Sequence, residues 1–229
     1  MTPWIGERAD AVIFDHDGTL VDSETITLTL LATMAVEAGA EVHPDDATRF
    51  MGSDINVVID AIEERSGNTI DRDKFFAEFR VRQYDDIRSG LAEIAGATRL
   101  LESLTERGVP FAVATNAPMA KMELCLATTK LDRFFGPENM VSAYDVGIWK
   151  PDPAVFIEAA ARLDTPIERC VIVEDSHPGV EAAIASGGHA IALDPNGTFA
   201  ESAAHSVVGL DEVSELLLGS SVQQLQKTN

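Results

Sequence analysis

The chain has 229 residues, of which 45% are hydrophobic, enough for one sizeable α/β domain or for a core with a small inserted domain. Its formal net charge is −21, from 38 acidic and 17 basic residues. Nucleic-acid binding needs a concentrated cationic surface, so this charge argues against it. No apolar run approaches the roughly 18 residues that span a bilayer, and the N-terminus lacks the features of a signal peptide. We therefore expect a cytoplasmic protein, monomeric or weakly dimeric, without nucleic-acid or membrane partners.

The two cysteines agree with this expectation. Cys125 and Cys170 are far apart in the sequence and have no CxxC partner. Both lie in apolar surroundings that are typical of a core. We expect neither a disulfide nor a nucleophilic cysteine.

Short apolar runs alternate with helical patterns along most of the chain. In chain order, the first strand is predicted at residues 11–14, and it is followed by helical patterns alone at residues 25–37, 54–65 and 71–85. Beyond these, strands are predicted at residues 109–114, 171–173 and 190–193, and helices at residues 96–107, 118–129, 153–163 and 178–186. This alternation predicts an α/β fold with a Rossmann-like, mostly parallel, doubly wound sheet and a small all-helical insertion.

The helical insertion comes directly after the first strand. A module at this place would lie above the carboxyl ends of the strands, where open α/β sheets bind ligands. We expect a catalytic core of residues 1–22 and 88–218, a helical cap of residues 23–87, and a frayed tail of residues 219–229. The cap would move about hinges near residues 21–23 and 87–90.

The first polar cluster follows the first strand and contains two aspartates around one residue. Alternation along an extended backbone places Asp15 and Asp17 on one side and His16 on the other, where we expect it to pack. Two carboxylates at this spacing can divide the work of nucleophile and general acid/base. Gly18 permits the sharp exit from the strand. A polar strand-to-turn boundary is the alternative for an isolated pair of aspartates.

Two further clusters come later in the chain, one directly after the predicted strand at residues 109–114 and the other at residues 150–153. Thr115 and Asn116 offer a hydroxyl and backbone amides just before a helix, which suits a phosphate clamp or an ordinary helix cap. Lys150 precedes Pro151, and another proline opens the next helix, so the direction of its ammonium is constrained. A solvated surface residue is the alternative reading of a single lysine.

The fourth cluster is a pair of adjacent acids after the strand at residues 171–173. Glu174 and Asp175 repel each other at the end of a buried strand unless a cation neutralises them. Oxygen ligands of this kind select Mg²⁺ or a similar hard ion. Capping of the following helix accounts for one of the two acids. We expect His177, just beyond them, to be a loop histidine and no metal ligand.

Together the four clusters resemble the signature motifs of the haloacid-dehalogenase superfamily, in the same order and on the same elements. The matching residues are Asp15-x-Asp17-Gly18-Thr19, Thr115, Lys150 and Glu174-Asp175. Residues 14–24, 149–153 and 174–176 resemble its β-phosphoglucomutase-like branch. Residues 114–122 and 142–150 are similar to sugar-phosphate and 6-phosphogluconate phosphatases.

The resemblance implies an Mg²⁺-dependent phosphatase acting on a small phosphorylated metabolite. In that scheme Asp15 attacks phosphorus, Asp17 protonates the leaving oxygen and then activates water, and Lys150 holds charge on the nucleophile and the phosphate. The substrate-binding candidates are Gly18, Thr115, Asn116 and, from the cap, Arg49. The metal-ligand candidates are Asp15, the carbonyl of Asp17, Asp175 and Glu174, the last directly or through water.

Three other activities use similar residues but fit this sequence less well than a phosphatase. The dehalogenases of the superfamily lack the second aspartate, so Asp17 argues against halide chemistry. A β-phosphoglucomutase-like phosphomutase would keep Asp17, but the sequence after Arg49, around Gly52, has no cation for a second phosphate. A signalling receiver also carries a phosphate-accepting Asp on a parallel sheet. Its acid pair precedes that Asp, and it has no helical insertion.

Overall fold

The computed structural model describes residues 9–43, 46, 55–199 and 204–219. Within these residues the strands are β1 (Ala11–Phe14), β2 (Phe111–Thr115), β3 (Met140–Ser142), β4 (Cys170–Glu174), β5 (His189–Leu193) and β6 (His205–Val207). The α-helices are α1 (Ser23–Glu37), α2 (Ile55–Ser66), α3 (Arg72–Gly90), α4 (Ala97–Glu106), α5 (Met119–Thr129), α6 (Ala143–Val146), α7 (Ala154–Arg162), α8 (His177–Ser186) and α9 (Leu210–Leu218). Short 3₁₀ turns lie at Leu131–Phe134 and Ile167–Arg169.

The strands form one parallel sheet in the order β3-β2-β1-β4-β5-β6. Phe14, the last residue of β1, is in register with Val113 of β2 and with Val173 of β4. The chain runs to one side of β1 for β2 and β3 and to the other side for β4 to β6, which makes a topological switch point at β1. Ligands bind at such points outside the carboxyl ends of the strands. The predicted α/β class with a mostly parallel sheet is confirmed.

The three central strands are completely buried. Alternate residues of these strands pack against α7 and α8 in one hydrophobic cluster, which includes Ala11, Ile13, Ala112, Ala114, Cys170, Ile172, Val155, Phe156, Ala159, Ala182 and Ala183. Burying a large apolar side chain contributes about 1.5–3 kcal/mol relative to leaving it exposed. The residues that follow these strands therefore start from a rigid backbone.

The cysteines belong to this interior. Cys125 and Cys170 are both buried and unpaired, as predicted. Burial raises the pKa of the Cys125 thiol to about 12 and that of Cys170 to about 11. Both thiols are therefore protonated near neutral pH and are poor nucleophiles.

Two strands of the sheet are missing from the sequence-based prediction. β3 and β6 have three residues each, and β6 exposes His205 and Ser206. A strand this short, with a polar or mixed composition, gives no apolar run and no period that a sequence window can detect. Pairing with β2 and β5, which the sequence does not show, stabilises them.

Residues Asp22–Ala92 form a compact unit of their own, which we call the helical unit; the described residues before and after it are the sheet unit. The helices of the helical unit share a hydrophobic cluster that includes Leu30, Leu31, Met34, Val58, Ile59, Ile62 and Phe75. Aspartates cap two of them: the carboxylate of Asp22 accepts a hydrogen bond from the Thr25 amide at 3.4 Å, and that of Asp71 from the Lys74 amide at 3.1 Å. Such caps satisfy amides that have no partner within the helix.

The chain enters and leaves the helical unit at one place. Val21 forms an isolated antiparallel bridge with Glu93, and the amide of Asp22 donates to the carbonyl of Ala92 at 3.0 Å. α3 continues to Gly90, so the expected hinge at residues 87–90 is helical and the chain returns to the sheet unit at Glu93. Arg49, the expected substrate contact of the cap, its neighbour Gly52, and residues 220–229 of the expected tail lie outside the described residues.

In the part of the chain that the structure describes, no helix combines the length and the apolar character needed to cross a membrane.

Candidate active site

Asp15 is the first residue after β1 and lies inside the sheet unit. Its amide extends the pairing of β1 by donating to the carbonyl of Val173 at 2.9 Å. Its side chain is buried, and the ammonium of Lys150 donates to Oδ1. Burial raises the pKa of Asp15 well above its ordinary value, and the charges of Glu174 and Asp175 add to this effect against the opposing charge of Lys150. The site therefore holds more negative charge than Lys150 alone neutralises.

Lys150 lies among several acceptors, and its side chain is only 3% exposed. Besides Asp15, Nζ donates to the carbonyl oxygen of Ala114 and to Oε1 of Glu174, each at 3.0 Å. The ammonium also lies 4.5 Å from the centre of the Phe156 ring. Burial lowers the pKa of Lys150, but the nearby carboxylates more than offset this, so the side chain stays protonated.

The backbone of Lys150 is held by the side chain of Asn116. Asn116 Oδ1 accepts a hydrogen bond from the Lys150 amide at 2.9 Å, and Nδ2 donates to the Lys150 carbonyl at 3.4 Å. From the sequence, we expect Asn116 to act through its backbone amide toward phosphate. This side-chain clamp is an additional contact that no local sequence signal shows, since the two residues are 34 positions apart.

Glu174 is held on both carboxylate oxygens. Oε1 accepts from Lys150, while Oε2 accepts from the backbone amide of Ser176 at 2.6 Å and from its hydroxyl at 3.0 Å. The carboxylate lies against the backbone of Gly179 in α8, where an added Cβ would lie 1.7 Å from Oε1. Glycine at position 179 is therefore required by the space that Glu174 occupies.

Asp175 packs against the turn that follows Asp17. Its Oδ1 accepts a hydrogen bond from the hydroxyl of Thr19 at 2.9 Å. Gly18 has a φ of +86°, and a Cβ on it would lie 2.1 Å from Oδ2 of Asp175. Gly18 therefore serves the sharp turn expected from the sequence and also the close approach of this carboxylate.

Thr115 ends β2 and is buried beside these groups. Its hydroxyl oxygen accepts a hydrogen bond from the amide of Ala117 at 3.0 Å, which orders the turn before α5. This is the capping role that the sequence analysis gives as the alternative to phosphate binding. A hydroxyl that accepts one hydrogen bond still has its own O–H to donate, so the contact is compatible with both roles.

Asp17 contacts a lysine that lies outside the four motifs. Nζ of Lys121, in the first turn of α5, donates to Asp17 Oδ1 at 2.7 Å. His16 is fully buried, as expected for a packing residue, but it does not face away from Asp17, because its Nδ1 lies 3.3 Å from the same oxygen. Burial raises the pKa of Asp17, but Lys121 and then His16 outweigh it, and the pKa lies well below its ordinary value.

The structure thus brings Asp15, Lys150 and Glu174 into direct contact, with Asp175 close enough to affect the pKa of Asp15. Among the described residues no three His, Cys, Asp or Glu side chains are grouped so that they could hold a metal ion alone. The expected magnesium ligands include the backbone carbonyl of Asp17, and therefore need only two side chains. Hard oxygen donors and uncompensated negative charge fit a divalent cation of this kind.

Comparison with known proteins places this geometry in one family. Residues 12–193 match the haloacid dehalogenase-like hydrolases. The 6-phosphogluconate phosphatase of Escherichia coli K12 is 34% identical over 181 residues, which cover 79% of this chain and 80% of that protein. The phosphorylated carbohydrates phosphatase of Thermotoga maritima is 27% identical over 221 residues, covering 91% and 98%.

A solved structure shows the same fold. The crystal structure of a haloacid dehalogenase family hydrolase from Deinococcus radiodurans, with bound phosphate and sodium, has a TM-score of 0.79 and 26% identity. It covers 92% of this chain, and the chain covers 95% of it. The family inferred from the four motifs is therefore confirmed. The chain belongs to the haloacid dehalogenase-like hydrolases and is an enzyme of their phosphatase class.

Proposed function

We propose that the chain is an Mg²⁺-dependent phosphatase that hydrolyses a sugar phosphate or sugar-acid phosphate through an aspartyl-phosphate at Asp15. The observation that carries this proposal is the buried contact of Asp15, Lys150 and Glu174 at the carboxyl edge of the sheet. A buried carboxylate held by one ammonium, next to further acids, is costly for a fold. Such an arrangement is typical of a functional site.

In the first step, an oxygen of Asp15 attacks phosphorus and the bond from phosphorus to the leaving oxygen breaks. Lys150 holds Oδ1 of Asp15, so we assign the attack to Oδ2. The pKa of Asp17 lies well below its ordinary value without substrate, so we assign its protonation to the substrate-bound state, in which the negative charge of the phosphate raises that pKa. Asp17 then gives the leaving oxygen its proton, and a neutral alcohol departs. The hydroxyl of Thr115 and the amide of Asn116 would donate hydrogen bonds to the phosphoryl oxygens.

In the second step, a water molecule attacks the phosphorus of the aspartyl-phosphate. Asp17, now a carboxylate, accepts the proton of this water, and the bond between phosphorus and Asp15 breaks. Inorganic phosphate leaves, and Asp15 is again a carboxylate held by Lys150. Asp17 thus serves both steps, as acid and then as base, and it ends the cycle protonated.

Asp15, the carbonyl of Asp17 and Asp175 would hold Mg²⁺, which supplies positive charge beside the nucleophile and the phosphate when bound. The raised pKa of Asp15 supports this requirement, since a carboxylate must be ionised to attack. Both oxygens of Glu174 already accept hydrogen bonds from Lys150 and Ser176. We therefore assign to Glu174 the orientation of Lys150, with any metal contact made through water.

The substrate class rests on the relatives. Two of them are named as phosphatases of 6-phosphogluconate and of phosphorylated carbohydrates. Leaving groups of this kind are alcohols with high pKa values, and they need a proton donor such as Asp17. The sheet unit carries that donor beside the nucleophile, two positions along the chain.

The test is phosphate release by the purified protein from a panel of esters. The panel contains 6-phosphogluconate, hexose phosphates, hexitol phosphates and p-nitrophenyl phosphate, each with Mg²⁺ and with excess chelator. Asp15→Asn is the matched control for contaminating phosphatases. We expect Mg²⁺-dependent release that the control lacks and that chelator abolishes.

Release that persists in excess chelator would contradict the metal requirement. A protein that converts β-glucose 1-phosphate to glucose 6-phosphate without releasing phosphate would be a mutase, and the proposed hydrolysis would be wrong. No turnover of any ester by a folded protein would contradict the proposal as a whole.

A further inference from the structure

Lys121 is a nearly buried lysine outside the four motifs. Its side chain is 14% exposed, and Nζ lies 2.7 Å from Oδ1 of Asp17. Lys121 lies in the first turn of α5, where its own amide donates to the carbonyl of Pro118 at 2.9 Å. The direction of the side chain is therefore set by the turn that joins β2 to α5.

Removing an ammonium from water has a large cost, but the charge and hydrogen bond of Asp17 outweigh the effect of burial and raise the pKa of Lys121, so the side chain stays protonated. Surface lysines avoid this cost by extending into solvent. Lys130, at the end of the same helix, is exposed in this way. Its contact with Asp17 therefore distinguishes Lys121 from a solvated surface lysine.

The contact holds one oxygen of the Asp17 carboxylate. Lys121 holds Oδ1, and Nδ1 of His16 approaches the same oxygen at 3.3 Å. A general acid must present its proton within hydrogen-bond distance of the leaving oxygen. A proton exchanged by Asp17 would then be carried by Oδ2.

We propose that Lys121 is a positioning residue for Asp17: by holding Oδ1, it orients Oδ2 toward the leaving oxygen in the first step and toward water in the second. This inference rests on the proposed phosphatase mechanism. Lys121, a residue outside the motifs, then acts in the steps that transfer a proton and has no role in steps that need no proton.

The experiment separates these steps by the leaving group. Phosphoryl transfer from p-nitrophenyl phosphate needs no proton donor, because p-nitrophenolate is a stable anion, whereas transfer from an alkyl phosphate needs one. Single-turnover rates of alcohol release are measured at saturation with p-nitrophenyl phosphate and with the alkyl phosphate that the panel above finds fastest. The proteins compared are wild type, Lys121→Met, Lys121→Arg and the matched control Lys130→Met.

We expect Lys121→Met to slow transfer from the alkyl phosphate roughly 10- to 100-fold, the size of effect that follows from misplacing a catalytic group. Transfer from p-nitrophenyl phosphate should change less than about 2-fold, on the physical ground that no proton is needed there. Lys121→Arg should recover part of the loss, and Lys130→Met should match wild type with both substrates.

A double variant keeps the test decisive. Asp17→Asn removes the carboxylate that Lys121 neutralises, so Lys121→Met added to Asp17→Asn leaves no unpaired charge and should fold even where the single variant does not. We expect Lys121→Met to cause no further loss with the alkyl phosphate in this background.

Equal slowing with both substrates, a rise in KM alone, or a full additional loss in the Asp17→Asn background would each overturn the positioning role. An inactive wild-type protein would instead show that the proposed function itself had failed.

Discussion

The sheet unit and the helical unit place ion pairs in different surroundings. The side chain of Lys150 is 3% exposed and contacts Asp15 and Glu174, whose side chains are 8% and 2% exposed. Arg82 of the helical unit also contacts two acids, Glu37 and Glu78, but its side chain is 35% exposed. Burying three charged groups gives a fold little or no stability, because their desolvation is costly. An exposed ion pair costs little free energy and contributes little to stability. The difference in burial therefore distinguishes the charged groups of the candidate active site from the ion pairs of the protein surface.

The largest effect should come from the nucleophile. Asp15→Asn removes the attacking carboxylate, so we expect turnover to fall by at least about 10³-fold. The fold should persist, because the substitution keeps the side-chain volume and removes a negative charge from an acidic site. Phosphate release and circular dichroism measure the two effects. A variant with a tenth of the wild-type rate would show that Asp15 is not the nucleophile.

Asp17→Asn should change the course of the reaction instead of stopping it at the start. With p-nitrophenyl phosphate the first step needs no proton, so the aspartyl-phosphate should form and then decay slowly for want of a base. Rapid quench with ³²P-labelled substrate measures the labelled protein. Absence of label at every time would contradict separate roles for Asp15 and Asp17.

The difference in burial between Lys150 and Arg82 should affect the free energy of unfolding of the variants that remove them. Lys150→Met leaves two buried carboxylates without their cation, and we expect a loss of about 3–5 kcal/mol in the free energy of unfolding. Arg82→Met, the matched variant of the helical unit, should lose no more than about 1 kcal/mol. Urea denaturation of both variants gives the comparison. Similar losses would mean that burial does not distinguish the two sites.

Two helical glycines provide a smaller test of the same contrast. Gly179→Ala places a Cβ on the carboxylate of Glu174, so we expect a loss of about 1–3 kcal/mol and reduced activity. Gly90→Ala in α3 meets no atom within 4 Å and should be neutral or stabilising by up to about 1 kcal/mol. Thermal unfolding ranks the two variants; a tolerated alanine at position 179 would mean that Glu174 readily moves.

The smallest effect concerns Asp46 and Arg65 in the helical unit. Two hydrogen bonds from Arg65, at 2.6 and 2.8 Å, lower the pKa of Asp46 from 3.8 to about 2. Because the pKa is lower in the folded state, the stabilisation is present above pH 4, near the unfolded pKa, and is lost as the pH falls toward about 2. Asp46→Asn should therefore cost about 0.5–1 kcal/mol at pH 7 and progressively less at pH 4 and pH 3. Urea denaturation at the three pH values tests this, and a constant difference would argue against the pair.

Much of the sheet unit could be predicted from the sequence, because its central strands are buried on both faces and therefore form unbroken apolar runs. Asp15, Thr115 and Glu174 could be placed for the same reason, since each follows such a run. Lys150 follows no such run and was placed by its resemblance to the family motif. β3 and β6 were missed because short edge strands depend on their neighbours for stability. The Asn116 clamp and the Lys121 contact were missed because both join residues that only the folded chain brings together.

The pairing of Val21 with Glu93 has an evolutionary consequence. Both ends of the helical unit meet at one short stretch of paired backbone, so an exchange of everything between them leaves the register of β1 and β2 unchanged. The entropy of closing a longer or shorter insertion varies slowly, by about 0.6 kcal/mol for each doubling of length. A segment inserted at such a junction can be exchanged as a unit. A lineage can therefore replace this module by recombination while inheriting the reactive groups intact.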